Sequence, residues 1–229
     1  MEVQRMMKKV IRSLVGVDLR NKEEHELDWQ RNWARLYAQP GAKEKCLEYW
    51  RSHRFLDEIR SRVPLEGKRI LDVGCGINTV LEFLPGRRIG VDPLAEDYKR
   101  IHQYPPDVEI RESKGESLPF ADASFDVVFC SNVIDHTEDP DKVISEVTRV
   151  LTSRGHFVLT VESFSEEAAD HFRNVGHPHN ITLDHLHGLV AGFELLIERE
   201  SPWVGIRRYV EGRPPTKRME QILLLRKAA

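Results

Sequence analysis

The sequence predicts an α/β protein: a mostly parallel sheet wound by crossover helices and preceded by a helical extension. Three observations carry this. From about residue 67 onward, short apolar runs alternate with stretches of helical spacing, the pattern of strands joined by crossover helices. A glycine-containing turn directly follows the first of those runs, at Gly74 and Gly76. Residues 1 to about 64 instead repeat their apolar side chains at helical intervals. The expected division is a helical extension over 1–64 and a Rossmann-like domain over 65–229.

Within the extension, Val3, Met6, Met7, Val10, Ile11 and Leu14 share a helical face, with Arg5, Lys8, Lys9 and Arg12 opposite. A helix packed on the body with a solvated basic face is the preferred reading. Contact of residues 1–17 with a membrane surface is the alternative. Leu27, Trp29, Trp33, Leu36 and Tyr37 form a second periodic set, and Cys46, Tyr49, Trp50, His53, Leu56 and Ile59 a third, broken from the second at Pro40-Gly41. The tryptophans are read as anchors for the extension, with a lid over a binding site as the functional alternative.

Seven strands follow, at 69–73, 88–92, 108–112, 125–130, 156–161, 193–199 and 221–227. Helices are expected over Thr79 to Leu84, Pro140 to Leu151 and Leu183 to Ala191. Pro140 suits a first helical turn, where its missing N–H costs nothing. A hairpin-like ending with Arg213-Pro214-Pro215 in the connection fits a mixed sheet.

The bulk composition is that of a folded domain, with 229 residues, 40% hydrophobic and 31% charged. The net charge of -3 advertises no basic surface, so no nucleic-acid partner is expected. The three cysteines match no zinc or redox spacing, and reduced thiols follow. No apolar run approaches the ~20 residues that cross a bilayer, and no signal-peptide run follows Met1. A cytoplasmic location is expected, while the oligomeric state is left open.

The chemistry concentrates in ILDVGCGIN, residues 70–78. Glycines at the carboxyl end of the first strand let a ligand approach backbone. Ligands of open α/β sheets lie at these strand ends. Asp92 ends the second strand, where a carboxylate accepts ribose hydroxyl protons. Together these point to an adenosine-containing ligand. Thr79 stands where a dinucleotide fingerprint needs Gly or Ala, which speaks against NAD or FAD. Asp72 would repel a pyrophosphate and suits a cationic ligand end.

Four segments then carry a resemblance: ILDVGCG (70–76), GVDP (90–93), ESLPFADASFDVVFCSNVIDH (116–136) and VISEVTRVLTSRGHFVLT (143–160). From about Gly67 to Val161 the chain resembles the class I S-adenosylmethionine-dependent methyltransferases, in the broad group that includes the ubiquinone and menaquinone methyltransferases. The resemblance implies a three-layer αβα sandwich on a seven-stranded sheet ordered 3-2-1-4-5-7-6, with the last strand antiparallel. It implies S-adenosyl-L-methionine as cofactor. Asp72, Gly74 and Gly76 would border its methionine part and Asp92 its ribose. Pro93 and Leu94 would flank the adenine, with Glu116, Ser117 and Leu118 on its other side. Ser131 and Asn132 would face the methyl and methionine end. Two positions depart from the family: Asn78 replaces a small residue, and Lys114 replaces an acidic residue that binds the adenine amino group.

For a hydroxyl acceptor a base is needed. His136, beside Asp135, is the first candidate, weighed evenly against a bracing role for both. His177 and His179 are the second, against the alternative of solvent-exposed loop histidines. Seven of the ten histidines fall between 136 and 187. A metal site is disfavoured, since His185 and His187 would point apart on a helix. A small-molecule or glycan-type acceptor is expected from the weaker likeness of "DPL" and "NVIDHTEDP" to enzymes of bacterial glycans and natural products. The alternatives are a cofactor-binding but catalytically silent partner protein and an NAD(P)-dependent oxidoreductase.

Overall fold

The computed structural model describes residues 22–165, 178–214 and 218–228. Helices α1 (Lys22–Tyr37), α2 (Ala42–Ser52) and α3 (Leu56–Arg62) precede the sheet. Gly41 takes a left-handed φ of 76°, which a glycine adopts at no steric cost, and this separates α1 from α2. Phe55, also left-handed at φ 53°, separates α2 from α3, a break within a set the sequence reads as continuous.

The strands are β1 (Arg69–Val73), β2 (Arg87–Asp92), β3 (Val108–Glu112), β4 (Phe125–Ser131), β5 (Leu151–Ser163), β6 (Phe193–Pro202) and β7 (Met219–Lys227). They form one sheet in the order β3-β2-β1-β4-β5-β7-β6, as expected. β1 to β5 pair in parallel, while β7 lies antiparallel between β5 and β6. β6 therefore runs with β1, and the β6–β7 connection leaves from the same sheet edge as the glycine turn.

Alternation along the strands sends successive side chains to opposite faces. On one face Leu71, Val73, Val128, Leu159 and Leu223 pack beneath α5 (Pro140–Val150) and α6 (Leu183–Leu189). Helix α5 begins with Asp139 accepting from the Lys142 N–H at 3.1 Å, and it buries Val143, Ile144, Val147 and Val150. On the other face Ile70, Val127, Phe129, Val158 and Leu224 meet Trp50, Leu56 and Ile59 of α2 and α3. A third cluster joins Trp33, Tyr37 and Cys46 to Ile77 after β1, Tyr98 of α4 (Ala95–Lys99) and Val210 of α7 (Ile206–Val210). Trp33 and Trp50 are buried anchors, whereas Trp29 is 41% exposed.

Three expectations shift. The helix expected over 79–84 is a 3-10 turn at Val80–Phe83, because Pro85 follows and holds Leu84 extended at ψ 150°. β5 starts at Leu151 rather than 156, its pairing with β4 shifting register between Phe125 and Val127. α6 stops at Leu189, short of Ala191. The amphipathic stretch 1–17, His177 and Pro215 lie outside the described residues. Among the described residues no helix is long and apolar enough to cross a membrane.

Candidate functional site

β1 ends in a turn built on two left-handed glycines, Gly74 at φ 69° and Gly76 at φ 54°. A side chain at Gly74 would put its Cβ 2.3 Å from Val133 Cγ2, so this turn and the one after β4 meet closely. The Gly74 and Cys75 N–H groups donate to the Val91 carbonyl at 2.8 and 3.1 Å, fastening the turn to β2. Asp92, at the end of β2, accepts from the Gly76 N–H at 3.1 Å and from the Leu94 N–H at 2.9 Å. Burial pushes its carboxyl up to about 6, with the two backbone donors pulling back and Glu26 on α1 pushing further. The Tyr98 hydroxyl also hydrogen-bonds this carboxylate, leaving about one of its roughly four acceptor positions for a ligand hydroxyl.

Asp72 is 3% exposed and accepts from the Thr79 hydroxyl at 2.6 Å. Burial pushes its carboxyl up to about 7; Thr79 opposes this, Asp92 adds to it, and Arg54 opposes it. Near neutral pH such a group is poised between its protonated and ionised forms, and a cation beside it favours ionisation.

Pro93 is exposed and Leu94 half-buried against the cluster of Ile77 and Tyr98. Glu116 accepts from the Glu138 N–H at 2.8 Å, and Lys114 pairs with Glu138 at 2.7 Å. The Ser117 carbonyl accepts from the Ser113 hydroxyl at 3.0 Å. Leu118 is buried in the cluster beneath α5, its N–H donating to Glu146 at 2.7 Å. Ser131 ends β4. Asn132 follows with a left-handed φ of 60°, its N–H donating to the Thr160 carbonyl at 2.8 Å. Its side-chain nitrogen lies 3.4 Å from His136 Nε2. His136 Nε2 is 3.8 Å from the Asp135 carboxylate, and the His179 N–H donates to the Asp135 carbonyl at 3.4 Å. The turn after β4 thus gathers Asn132, Asp135, His136 and His179. Among the described residues no group of three or more His, Cys, Asp or Glu is placed to hold a metal ion.

Two features of the site carry no sequence signal. Arg54, 6% exposed, pairs with buried Glu220 of β7 at 2.8 Å and donates to the Tyr49 hydroxyl at 3.0 Å. Its charge reaches Asp72, and its buried Nη1 has no partner among the described residues. Gln30 of α1 lies over the glycine turn, accepting from the Ile77 N–H at 3.4 Å. A Cβ at Gly76 would stand 3.1 Å from Gln30 Nε2, so a ligand reaching this turn displaces that side chain. Open surface hollows of about 450 Å³ beside Ile144 and Phe193 and about 420 Å³ along α2 at Leu47 and Arg51 lie away from this turn.

Among the described residues, Asn78 Oδ1, Ser131 Oγ, Asn132 Oδ1 and Arg54 Nη1 are buried without hydrogen-bond partners. Buried polar atoms are ordinarily satisfied; Trp33 Nε1, Trp50 Nε1 and Arg88 Nε are unpartnered among the described residues as well, but these four stand on the segments around the glycine turn, where polar ligand groups can meet them. Acceptors beside ionisable Asp72 suit an ammonium, and the guanidinium suits a carboxylate. Both are parts of the methionine end of S-adenosylmethionine, and the residues fit that group.

Residues 71–159 match the family model described as a methyltransferase domain. The ubiquinone biosynthesis O-methyltransferase of Hahella chejuensis is 39% identical over 105 residues, covering 42% of this chain and 43% of that protein. The tRNA U34 carboxymethyltransferase of Campylobacter curvus is 32% identical over 118 residues, covering 48% and 40%. The chain thus spans less than half the length of either. Among solved structures, a putative sarcosine dimethylglycine methyltransferase from Galdieria sulphuraria superposes with a TM-score of 0.63 at 17% identity, covering 78% of this chain and 86% of that one. At that identity the likeness is one of fold.

Proposed function

We propose that the protein, whose residues 71–159 match the methyltransferase-domain model, is a class I, S-adenosylmethionine-dependent methyltransferase that methylates a small-molecule or glycan-type acceptor at a hydroxyl. The observation that carries this reading is the set of unpartnered buried polar atoms on Asn78, Ser131, Asn132 and Arg54 around the left-handed glycine turn. Bound S-adenosylmethionine supplies an electrophilic methyl group on a sulfonium. Asp72, Asn132 and Ser131 hold the ammonium end, and Arg54 the carboxylate. Asp92 takes the ribose hydroxyls, with Gly74 and Gly76 keeping the approach open. Pro93, Leu94, Glu116, Ser117 and Leu118 border the adenine.

His136 removes the acceptor proton, with the Asn132 side-chain nitrogen at 3.4 Å and the Asp135 carboxylate at 3.8 Å beside its Nε2. His179 lines the acceptor side, and His177 lies outside the described residues. The chain's own contribution is the alignment of cofactor and acceptor. The two curated relatives act, by their names, on a quinone precursor pathway and on a tRNA, so the matched core leaves the acceptor open. Residues outside it, in the extension over 1–64 and beyond 178, select the acceptor.

Calorimetric titration with S-adenosylmethionine, with NADH in parallel, tests this reading. Saturable binding of the first alone, with release of S-adenosylhomocysteine on addition of a hydroxylated acceptor, is expected. Binding of NADH alone would overturn it, and cofactor binding without turnover on any acceptor would favour the catalytically silent partner.

A further inference from the structure

The β6–β7 connection concentrates positive charge that the whole chain lacks. Residues 203–218 hold five basic side chains against one acid, Glu211, in a protein of net charge -3. Arg207 pairs with Glu211 at 2.9 Å, and Arg213 pairs with the same carboxylate. Arg208 donates through Nε and Nη2 to the Pro214 carbonyl, at 3.2 and 3.0 Å. Two guanidiniums thus share one carboxylate and a third holds the backbone of the turn that follows the single-turn helix. The positive-φ Gly205 and Gly212, at φ 57° and 70°, flank the helix on either side.

Its place in the fold is fixed. Val210, 5% exposed, packs in the same apolar cluster as Ile77 of the glycine turn. Lys45 of α2 donates to the Val210 carbonyl at 3.2 Å, and the Tyr209 ring meets Tyr49 and His53 at 5.6 and 4.8 Å. Glu48 of α2, the nearby acid, is engaged by the Tyr209 hydroxyl. The arginines therefore stand at the rim of the strand edge that carries the candidate cofactor site.

Resting on the methyl-transfer reading above, we propose that α7 and the turn after it form an anion subsite, and that the acceptor is a small molecule bearing a phosphate group. Three guanidiniums less one carboxylate leave two positive charges, matching the charge of a phosphate monoester at neutral pH. The guanidinium fork fits phosphate oxygens in bidentate geometry, and arginine stays charged at any working pH. A monocarboxylate would leave one charge unmatched.

The test is equilibrium binding of glucose 1-phosphate in the presence of S-adenosylhomocysteine, with glucose and bulk tRNA as parallel arms. Glucose 1-phosphate is expected to bind and glucose not. Arg208→Ala with Arg213→Ala should weaken that binding at least tenfold and leave S-adenosylhomocysteine affinity within twofold. Glu211→Gln frees two guanidiniums and should tighten phosphate binding about threefold, a gain that misfolding does not produce. Absence of glucose 1-phosphate binding, or binding indifferent to these substitutions, overturns the proposal. So does tighter capture of tRNA that the double variant loses, which would make the patch a nucleic-acid surface. Because S-adenosylhomocysteine affinity is read separately, failure of the phosphate subsite is distinguishable from failure of the methyltransferase reading.

Discussion

Replacing Asp72 by Asn should stabilise the ligand-free protein while weakening its hold on the cofactor. Asp72 is 3% exposed, and burial lifts its carboxyl from an ordinary 3.8 to about 7. A group whose folded value lies above its unfolded value stabilises the fold most below the unfolded value. That stability is lost as pH rises through the folded value. At about 1.36 kcal/mol per unit, roughly three units amount to about 4 kcal/mol withdrawn between pH 4 and pH 8. Asn keeps an oxygen for the Thr79 hydroxyl, now 2.6 Å from the carboxylate, and carries no charge to desolvate. Asp72→Asn should therefore gain on the order of 2–4 kcal/mol at pH 8 and almost nothing at pH 4. Urea titrations of both proteins at the two pH values read this directly. At pH 8, S-adenosylmethionine affinity should fall at least about tenfold, since Asn offers the ammonium an acceptor but no negative charge. A variant no more stable than the parent at pH 8, or equally stabilised at both pH values, would refute the reasoning.

Asp92→Ala should cost at least about 1.4 kcal/mol of cofactor binding, a tenfold loss by calorimetry. Unchanged affinity would reject the ribose assignment. His136→Ala should slow methyl transfer while leaving cofactor affinity nearly intact, and an undiminished turnover number would remove it as the base. Arg54→Ala strands Glu220, 2% exposed, as an unpaired buried charge. Loss of about 3–5 kcal/mol in a denaturant titration is expected. A loss under about 1 kcal/mol would show the pair to be solvated.

The parts of this fold legible from sequence are those where one local rule decides. The runs at 69–73 and 125–130 are buried on both faces, so they read as continuous apolar strands. Gly74 and Gly76 announce their turn because only backbone freedom explains them after such a strand. Where two rules compete, local reading errs. Periodicity favoured a helix at 79–84, but Pro85 denied it a last turn. Phe55 gives no hint of its left-handed backbone, since the packing that enforces it comes from elsewhere. Arg54 and Gln30 were invisible for the same reason. One answers Glu220 at the far end of the chain, the other reaches Ile77 from a separate helix, and neither pairing has a spacing to read. The basic β6–β7 connection was diluted by the acidic total, and only its packing beside Ile77 places it at the site.

The central claim is that an adenosyl ligand lies across the Gly74–Gly76 turn between Asp72 and Asp92. A crystal structure with S-adenosylhomocysteine bound measures it most directly. The ribose hydroxyls are expected within hydrogen-bond reach of the Asp92 carboxylate, with Gln30 swung away from Ile77. Ligand density at any other strand end, or Gln30 still seated on a filled turn, would contradict the account.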